Sequence, residues 1–448
     1  MDTMQTETAS DSVPFQREGF ERWLAAREEP RWLLEQRREA WQAFEQSSWP
    51  DRRQEEWMRS DLRPFKLDRY SLPMTAVATD RSTALADEGI PRWLEEGIDA
   101  AGTLHTLDGV TVYRQLDAAT ENQGVIFGDL SQLAAEQEAI VREYLHRIVD
   151  WQQNRFAQLH AAVWSGGHFL YVPRGVHVER PFHLVAGLTD GATDSGHTLV
   201  VIDEGAEATL LYESSSSHEQ AGGLHLGGLE IVVRPGGHLR YVNLQDWGQE
   251  VWHFAHQRAV LDRDASIQWT VSALGSLFAQ VSQQVALIGP GAHSQVNGVL
   301  FTQGRQQLTY NTLQQHVAAG CRSDFLYKAA LQDRSRTVWR GMIRVEPGAQ
   351  KTDGYQRNDN LMLSDHVRAD SIPGLEILAD DVRCTHGSTT GSVDEEQIFY
   401  AQSRGFTRNE ATRMIVTGFF QQIFDRITID SVREALGTSI ARQVREYA

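Results

Sequence analysis

The stretch PGGHLR, Pro235–Arg240, joins a small-residue turn to a run that starts alternating polar and apolar side chains. The same signature returns as EGAEATL at Gly205, RDASIQW at Asp264, PGAHSQV at Gly291, AGCRSDF at Gly320 and PGAQKTD at Gly348. Successive marked residues from Gly205 to Gly348 are 31, 28, 27, 29 and 28 positions apart. Almost nothing between Ala161 and Val382 reads as a long helix. Short strands repeating at a quasi-regular period without intervening helices predict a β-solenoid, in which no coil buries its own inner face and stacking supplies the core. The alternative is a β-sandwich whose hairpin turns happen to fall evenly.

Outward from this repeat the character changes in both directions. AAVWSGGHFLYVPRGVHV, from Ala161, alternates between Gly and Pro punctuation and opens the strand-rich region. Before it, Phe20, Trp23, Leu24, Trp32, Leu33, Trp41 and Phe44 recur at helical spacing, with Pro30 splitting the run into two helices. WPDRRQEEWMRSDL predicts a turn and a short helix; residues 70–95 read as loop-rich and 130–160 as helical. Residues 1 to about 15 read as a polar, mobile start. The Ser- and Gly-rich ESSSSHEQAGGLHLGG, Glu213–Gly228, reads as a loop inserted on one face of the stack. After Gly391 three capping boxes appear, Ser392 with Glu395, Thr407 with Glu410, and Ser431 with Glu434, and Gly405 stops the first helix. The expected organisation is a mostly helical 1–160 with a loop-rich linker, a β core over 161–391 and a helical 392–448: mainly β with helical ends.

In the second C-terminal helix, Ile415, Val416, Phe419, Phe420, Ile423, Phe424 and Ile427 cover about half the circumference. A helix lying on a core needs a narrower stripe. The surplus is either a docking face for another protein or is covered by the third helix, Val432–Tyr447.

Composition narrows the function. A formal net charge of -18 over 448 residues argues against a phosphate-backbone reader and against an anionic membrane surface. Two cysteines, Cys321 and Cys384, are too few for a disulfide framework and fit a reducing compartment. The acidic N-terminus lacks the basic start of a signal peptide, and no apolar run reaches the ~20 residues of a membrane helix. The expectation is a cytoplasmic protein that binds neither nucleic acid nor membrane.

Walker loop, nucleophile elbow, CxxC and HExxH are all absent, and GGLHLGG does not open a helix after a strand. His253 and His256 are three apart, so in a strand they face opposite sides. His168, His177 and His183 lie in the first coil, where they could converge. Cys321 sits in a repeat turn and reads as a buried, inert thiol. In LADDVRCTHGSTTG, Leu378–Gly391, Cys384 and His386 share one face of an extended run and would present a sulfur and an imidazole outward from the last coil. These donor types suit iron, zinc or iron–sulfur clusters, yet a site needs about four ligands. On residue chemistry the pair stays open between half a metal site and two packing residues. Asp380 and Asp381 beside it read as a solvated acidic edge.

PGLEILADDVRCTHGSTTGSVDEEQIFYAQSRGF, from Pro373, resembles the C-terminal signature of the SufB/SufD family of iron–sulfur cluster assembly scaffold proteins. WPDRRQEEWMRSDL, GGHFLYVPRGVHVERP and NDNLMLSDHVRADSIP agree with it. The resemblance implies a right-handed parallel β-helix core between an N-terminal and a C-terminal helical domain. It implies a non-catalytic scaffold subunit of a SufB–SufC–SufD complex, pairing with its paralogue through the β-helices and binding the SufC ATPase by its C-terminal helices. ATP-driven SufC dimerisation would pull on those helices and shift the β-helix interface. The nascent cluster forms between the paralogues, and the histidine and cysteine implicated on the SufD side fall on His386 and Cys384. Nothing is held stably by the chain alone; the cluster or iron is transient. The SufC-binding helices correspond to about Glu395–Arg426, including Phe399, Ile415, Phe419, Phe420, Ile423 and Phe424. SufB-type chains have a glutamate where His386 stands and an essential cysteine just before the proline that corresponds to Pro373; SDHVRADSIP has none, so the resemblance is to the SufD side. A homodimer in isolation is compatible with this. Alternatives are a SufB-type paralogue, a single-chain metal-dependent enzyme using Cys384, His386 and a carboxylate, and a purely structural solenoid in which the pair only packs.

Overall fold

A left-handed residue recurs at the same corner of successive coils. In the computed structural model, which describes residues 13–74, 84–92, 94 and 98–444, Gly205, Gly236, Asp264, Gly291 and Gly320 have φ between +56° and +76°. Glycine, and to a lesser degree aspartate, enters this region without the usual Cβ penalty. The conformation directs each corner N–H along the stack. Gly205 donates to Pro235 O, Gly236 to Arg263 O, Asp264 to Pro290 O, Gly291 to Ala319 O and Gly320 to Gln350 O, at 2.8–3.2 Å. The last repeat departs from the pattern: Lys351 (φ 58°), not Gly348, is left-handed and donates to Asp381 O. The stacked corner positions Ala206, Ala265, Ala292, Cys321 and Ala349 are fully buried. Cys321 donates its thiol to Gly289 O at 3.3 Å, and burial raises its pKa.

Between corners the chain lays strands alternately into two sheets, giving a parallel solenoid of about 8 turns. The first sheet stacks Phe182–Leu188, Glu207–Ser216, His238–Asp246, Ser266–Ala273, His293–Thr302, Arg322–Leu331, Thr352–Met362 and Val382–Ser392. The second stacks Gly166–Val172, Gly196–Ile202, Gly222–Val233, Glu250–Leu261, Phe278–Leu287, Gln307–His316, Arg336–Val345 and Arg368–Ile377. Parallel register removes the sandwich alternative, since hairpin-connected strands pair antiparallel. It also aligns side chains into rows. Tyr241, Trp269, Val296, Phe325, Gln356 and His386 are successive partners in one row. The first four lie in the main core.

The two ends differ. At the N-terminal end, Gly102–Leu107 adds parallel to Phe182–Leu188 and turns back antiparallel into Val110–Leu116, while Ile126–Asp129 adds antiparallel to Gly166–Val172. These strands fall within the region read as mostly helical. Their signal was the Asp108-Gly109 hairpin turn, both residues left-handed (φ 51° and 77°), between alternating apolar residues. At the C-terminal end both sheets stop, at Arg368–Ile377 and Val382–Ser392, and neither last strand has an outer strand partner among the described residues.

Helices cover the flanks. Arg17–Ala25 and Arg31–Gln46 meet at Pro30 as the sequence predicts, and Arg155–Val163 is capped by Asn154. With Trp49–Leu62, which holds a short 3-10 turn at Glu55–Trp57, they pack aromatic rings onto Trp252, Phe254 and Phe278 of the second sheet. Ala161–Val163 finishes a helix, so the first core strand starts at Gly166. Glu213–Gly228 is not a loop: Ser214, Ser215 and Ser216 are buried in a strand, and GGLHLGG forms the start of another. Small residues are required there because the space is filled; a Cβ on Gly227 would come within 2.6 Å of the His225 ring. Of the three capping boxes only Thr407–Glu410 forms. Ser392 still belongs to the last strand, so Asp394 caps Glu395–Ser403, and Ser431 lies inside Asp430–Gln443. Gly405 (φ 96°) ends the first of these helices. The polar start up to residue 12, residues 75–83, 93 and 95 of the stretch read as loop-rich, and residues 445–447 of the run read as a third helix lie outside the described residues.

Gly236 and Gly348 occupy equivalent places in the repeat signature but different backbone regions. Gly236→Val should destabilise the protein by about 1–3 kcal/mol, read by urea denaturation. Gly348→Ala, with nothing within 4 Å of the added Cβ, should stay within about 0.5 kcal/mol.

Candidate site at the open end of the solenoid

The last strand, Val382–Ser392, positions the candidate ligands by alternation. Arg383 pairs with Asp353 on its outer face at 3.0 Å. Cys384 and His386 therefore share the opposite face, as the sequence predicts, but that face points inward. Cys384 follows Gly354 in its row and packs against the cluster of Ile343, Val345, Ala349 and Ala379. A Cβ on Gly354 would sit 3.3 Å from that sulfur. The expectation of an outward-facing pair is corrected: the pair occupies core-row positions in a coil on which, among the described residues, no further coil is stacked. His386 is consequently exposed and Cys384 half-buried.

The row changes chemistry as it reaches the end. Phe325 gives way to Gln356, whose Nε2 donates to Gly374 O at 3.0 Å and whose buried Oε1 has no hydrogen-bond partner. Asn358 accepts from Ser371, and Asn360 donates to Ser371 Oγ at 3.0 Å. Sequence reasoning passed over this polar lining; its signal was the alternation of Gln356, Asn358 and Asn360 within a strand. Burial raises the Cys384 thiol, the Asp353 carboxylate adds to that, and the Gly354 N–H acts in the opposite sense. A metal binding at Cys384 must displace a proton.

Two donors at alternate strand positions remain half a ligand set. Asp380 and Asp381 lie exposed at the corner, where the Asp381 backbone bonds Gln350 and Lys351. Among the described residues no third metal-ligating side chain closes on Cys384 and His386. The other histidines are separated. His253 faces inward, against His225 at 2.6 Å, and His256 outward, against Asn154 at 2.9 Å. His168 bonds Thr198, His183 bonds Glu213 and His177 is exposed beside Glu207, so the three do not converge.

On the C-terminal helices, Phe420, Ile423 and Phe424 are buried, packed with Val416 on Leu244, Val299, Phe301 and Leu326 of the first sheet. Val432, Leu436 and Ile440 of the third helix join the same cluster. The surplus apolar width of Arg408–Phe424 is thus largely used within the chain. Ile415 and Phe419 are half-buried, and Phe419 carries the Lys328 ammonium 4.8 Å from its ring centroid. Phe399 is 73% exposed, and Tyr400, Phe406 and Met414 are exposed with it.

Residues 185–419 match the family model described as "SUF system FeS cluster assembly, SufBD core domain", and residues 21–184 that of the "SufBD protein N-terminal region". A Bacillus subtilis (strain 168) protein named iron-sulfur cluster assembly protein SufB is 28% identical over 410 residues, spanning 88% of this chain and 86% of the relative. An iron-sulfur cluster assembly SufBD family protein of Staphylococcus epidermidis is 28% identical over 407 residues, with the same coverage of both chains. One from Staphylococcus aureus (strain MRSA252) is 27% identical over 405 residues, 88% of this chain and 85% of the relative. No helix among the described residues is long and apolar enough to cross a membrane.

Iodoacetamide should label one thiol per folded chain, Cys384, and two in urea, counted by intact mass. Because burial favours the neutral thiol, labelling of Cys384 should be slow at pH 7 and rise about tenfold per pH unit, up to and beyond the ordinary thiol pKa. Modification of Cys321 in the folded chain would contradict its burial.

Proposed function

Since this chain belongs to the SufBD family of the SUF iron–sulfur cluster assembly system, we propose that it is a SufD-type, non-catalytic scaffold subunit working in the cytoplasm. The observation that carries the proposal is the uncapped last coil, with His386 at the exposed end of a core row and Cys384 beside it. Two unpaired strand edges at one end of a solenoid are a template for a second solenoid. A SufB-like paralogue docking there satisfies the edges and brings the ligands that Cys384 and His386 lack. The nascent cluster, or its iron, is cargo of that joint. His386 serves as a neutral imidazole donor, since a protonated ring has no lone pair to offer. Cys384 is an auxiliary ligand once deprotonated.

The C-terminal helices give the second contact. Phe399, Tyr400, Phe406 and Met414, exposed by 73, 60, 42 and 53%, are the surface offered to a SufC-type ATPase. The buried Phe420, Ile423 and Phe424 tie Arg408–Phe424, the helix that carries Met414, to the first sheet. Movement of the docked ATPase would thereby reach the strands that end at the site. Such coupling requires the ATPase to bind the two arrangements of the joint with different affinity. A SufB-type role is the second reading, favoured by the Bacillus subtilis relative's name. Against it stand His386 itself and the absence of cysteine from Ser364–Pro373.

His386→Ala in the reconstituted three-protein complex should lower cluster formation, followed by its visible absorbance, while leaving complex assembly intact; unaffected cluster formation would remove the ligand role. Phe399→Ala with Met414→Ala should weaken ATPase capture at least tenfold at unchanged thermal stability. Phe420→Ala should instead cost about 3–5 kcal/mol of folding stability. Capture of the ATPase by a chain truncated after Gly391 would contradict the docking assignment.

A further inference from the structure

Far along the stack from the open end, a second polar group is buried where the N-terminal region meets the second sheet. Strand Gly222–Val233 carries Gly228 and Glu230 on one face, and His197 of the neighbouring strand is in register with Gly228. Helix Arg155–Val163 brings His160 onto them, and the left-handed His146 (φ 55°) closes the group from the segment after Tyr144. All four polar side chains are buried, Glu230 and His197 completely and His160 and His146 to within 5 and 8%. The Glu230 carboxylate accepts three backbone N–H bonds, from His146 at 2.6 Å and from Ile148 and Val149 at 2.9 Å.

The hydrogen bonds fix the tautomers. His160 Nδ1 lies 3.0 Å from Leu226 O, an obligate acceptor, so Nδ1 carries the hydrogen and Nε2 accepts. Among the described residues the one group facing that Nε2 at hydrogen-bond distance is His197 Nδ1, at 3.0 Å, which therefore donates. His197 Nε2 then presents a lone pair to Glu230 Oε2, 3.1 Å away. Two lone pairs at that distance require a positive centre between them. A proton would serve this pair but would leave the third donor unused: His146 Nε2 is buried without a hydrogen-bond partner. One ligand atom from each of His146, His197 and Glu230 lies within 4.8 Å of the other two.

We propose that His146, His197 and Glu230 bind one divalent transition-metal ion of the zinc or ferrous class, clamping the 146–149 segment to the outer face of the second sheet. Two imidazoles and a carboxylate suit such a borderline ion, and the absence of thiolate sets the site apart from cluster chemistry. His160 and Leu226 form the outer hydrogen-bond chain that orients a ligating imidazole. Gly228 makes room for that chain, because a Cβ there would lie 2.4 Å from both His160 Nε2 and His197 Nδ1. The nearby buried Arg37 guanidinium is paired with Glu29 at 2.7 Å, which offsets its repulsion of a cation. This site is independent of the open-end reading.

The test uses the full chain carrying Cys384→Ser and His386→Ala, so that metal at the open end is not counted. After chelator treatment it is loaded with zinc sulfate, or with ferrous ammonium sulfate without oxygen, and desalted for mass-spectrometric metal analysis. One ion per chain is expected, and its removal should lower the midpoint of thermal unfolding by several degrees. Adding His197→Ala or His146→Asn should weaken binding at least tenfold and abolish the chelator-induced shift. His146→Asn keeps the backbone N–H and tolerates the left-handed conformation, so it decides the matter if His197→Ala does not fold. No stoichiometric ion, or an ion retained in His146→Asn, overturns the proposal. Metal present in the unsubstituted chain but lost with Cys384→Ser and His386→Ala alone also overturns it, and leaves the scaffold reading standing.

Discussion

A parallel solenoid depends on each coil having a neighbour. The corner N–H of Gly236 finds its acceptor on Arg263, one coil further, and that of Asp264 on Pro290. Trp269 sits against Tyr241 of the preceding coil, ring centroids 5.5 Å apart, and is followed in its row by Val296 of the next. Every interior coil satisfies this condition twice, and the terminal ones only once. The chain meets the shortfall at its N-terminal end with two antiparallel additions, Val110–Leu116 and Ile126–Asp129, which end the parallel stack. At the C-terminal end it supplies no such cap among the described residues. An end left unfinished, in a protein that finishes the other with care, is where a second chain belongs in the proposed assembly.

Placing ligands in core rows follows from the same constraint. A side chain in the Phe325–Gln356–His386 row is positioned by register through six strands, which holds it far more firmly than a loop would. Replacing apolar residues by Gln356 and His386 weakens the terminal core, and the unpartnered Gln356 Oε1 marks the strain of that exchange. In the proposed assembly the terminal coil thus gives up some stability of its own for groups that act when the joint is closed.

How much was legible in the sequence followed from how local the cause was. The corner glycines were readable because a left-handed backbone restricts residue choice at a single position. The Thr407 capping box was readable because both of its partners lie within four residues, whereas Ser392 failed because a strand, not a helix, claimed it. Long-range causes were not readable. Ser214–Ser216 and Gly227–Gly228 have the composition of a loop, yet they are small because histidines and neighbouring strands fill the space. The width of the Phe420 face did not reveal whether its cover was internal or another protein. The shared face of Cys384 and His386 followed from strand alternation, but its inward direction needed the register with Phe325. The His146–His197–Glu230 group joins three segments far apart in sequence, so no local motif announced it.

Hydrogen exchange along Arg368–Ile377 and Val382–Ser392, with and without a SufB-like paralogue, tests the central claim most directly. The outward-facing amides of these two strands should exchange fast in the isolated chain. Protection should rise strongly on mixing and be concentrated on the strands that carry Cys384 and His386. Full protection of both edges in the monomeric chain, or no change on mixing while protection appears elsewhere, would contradict it.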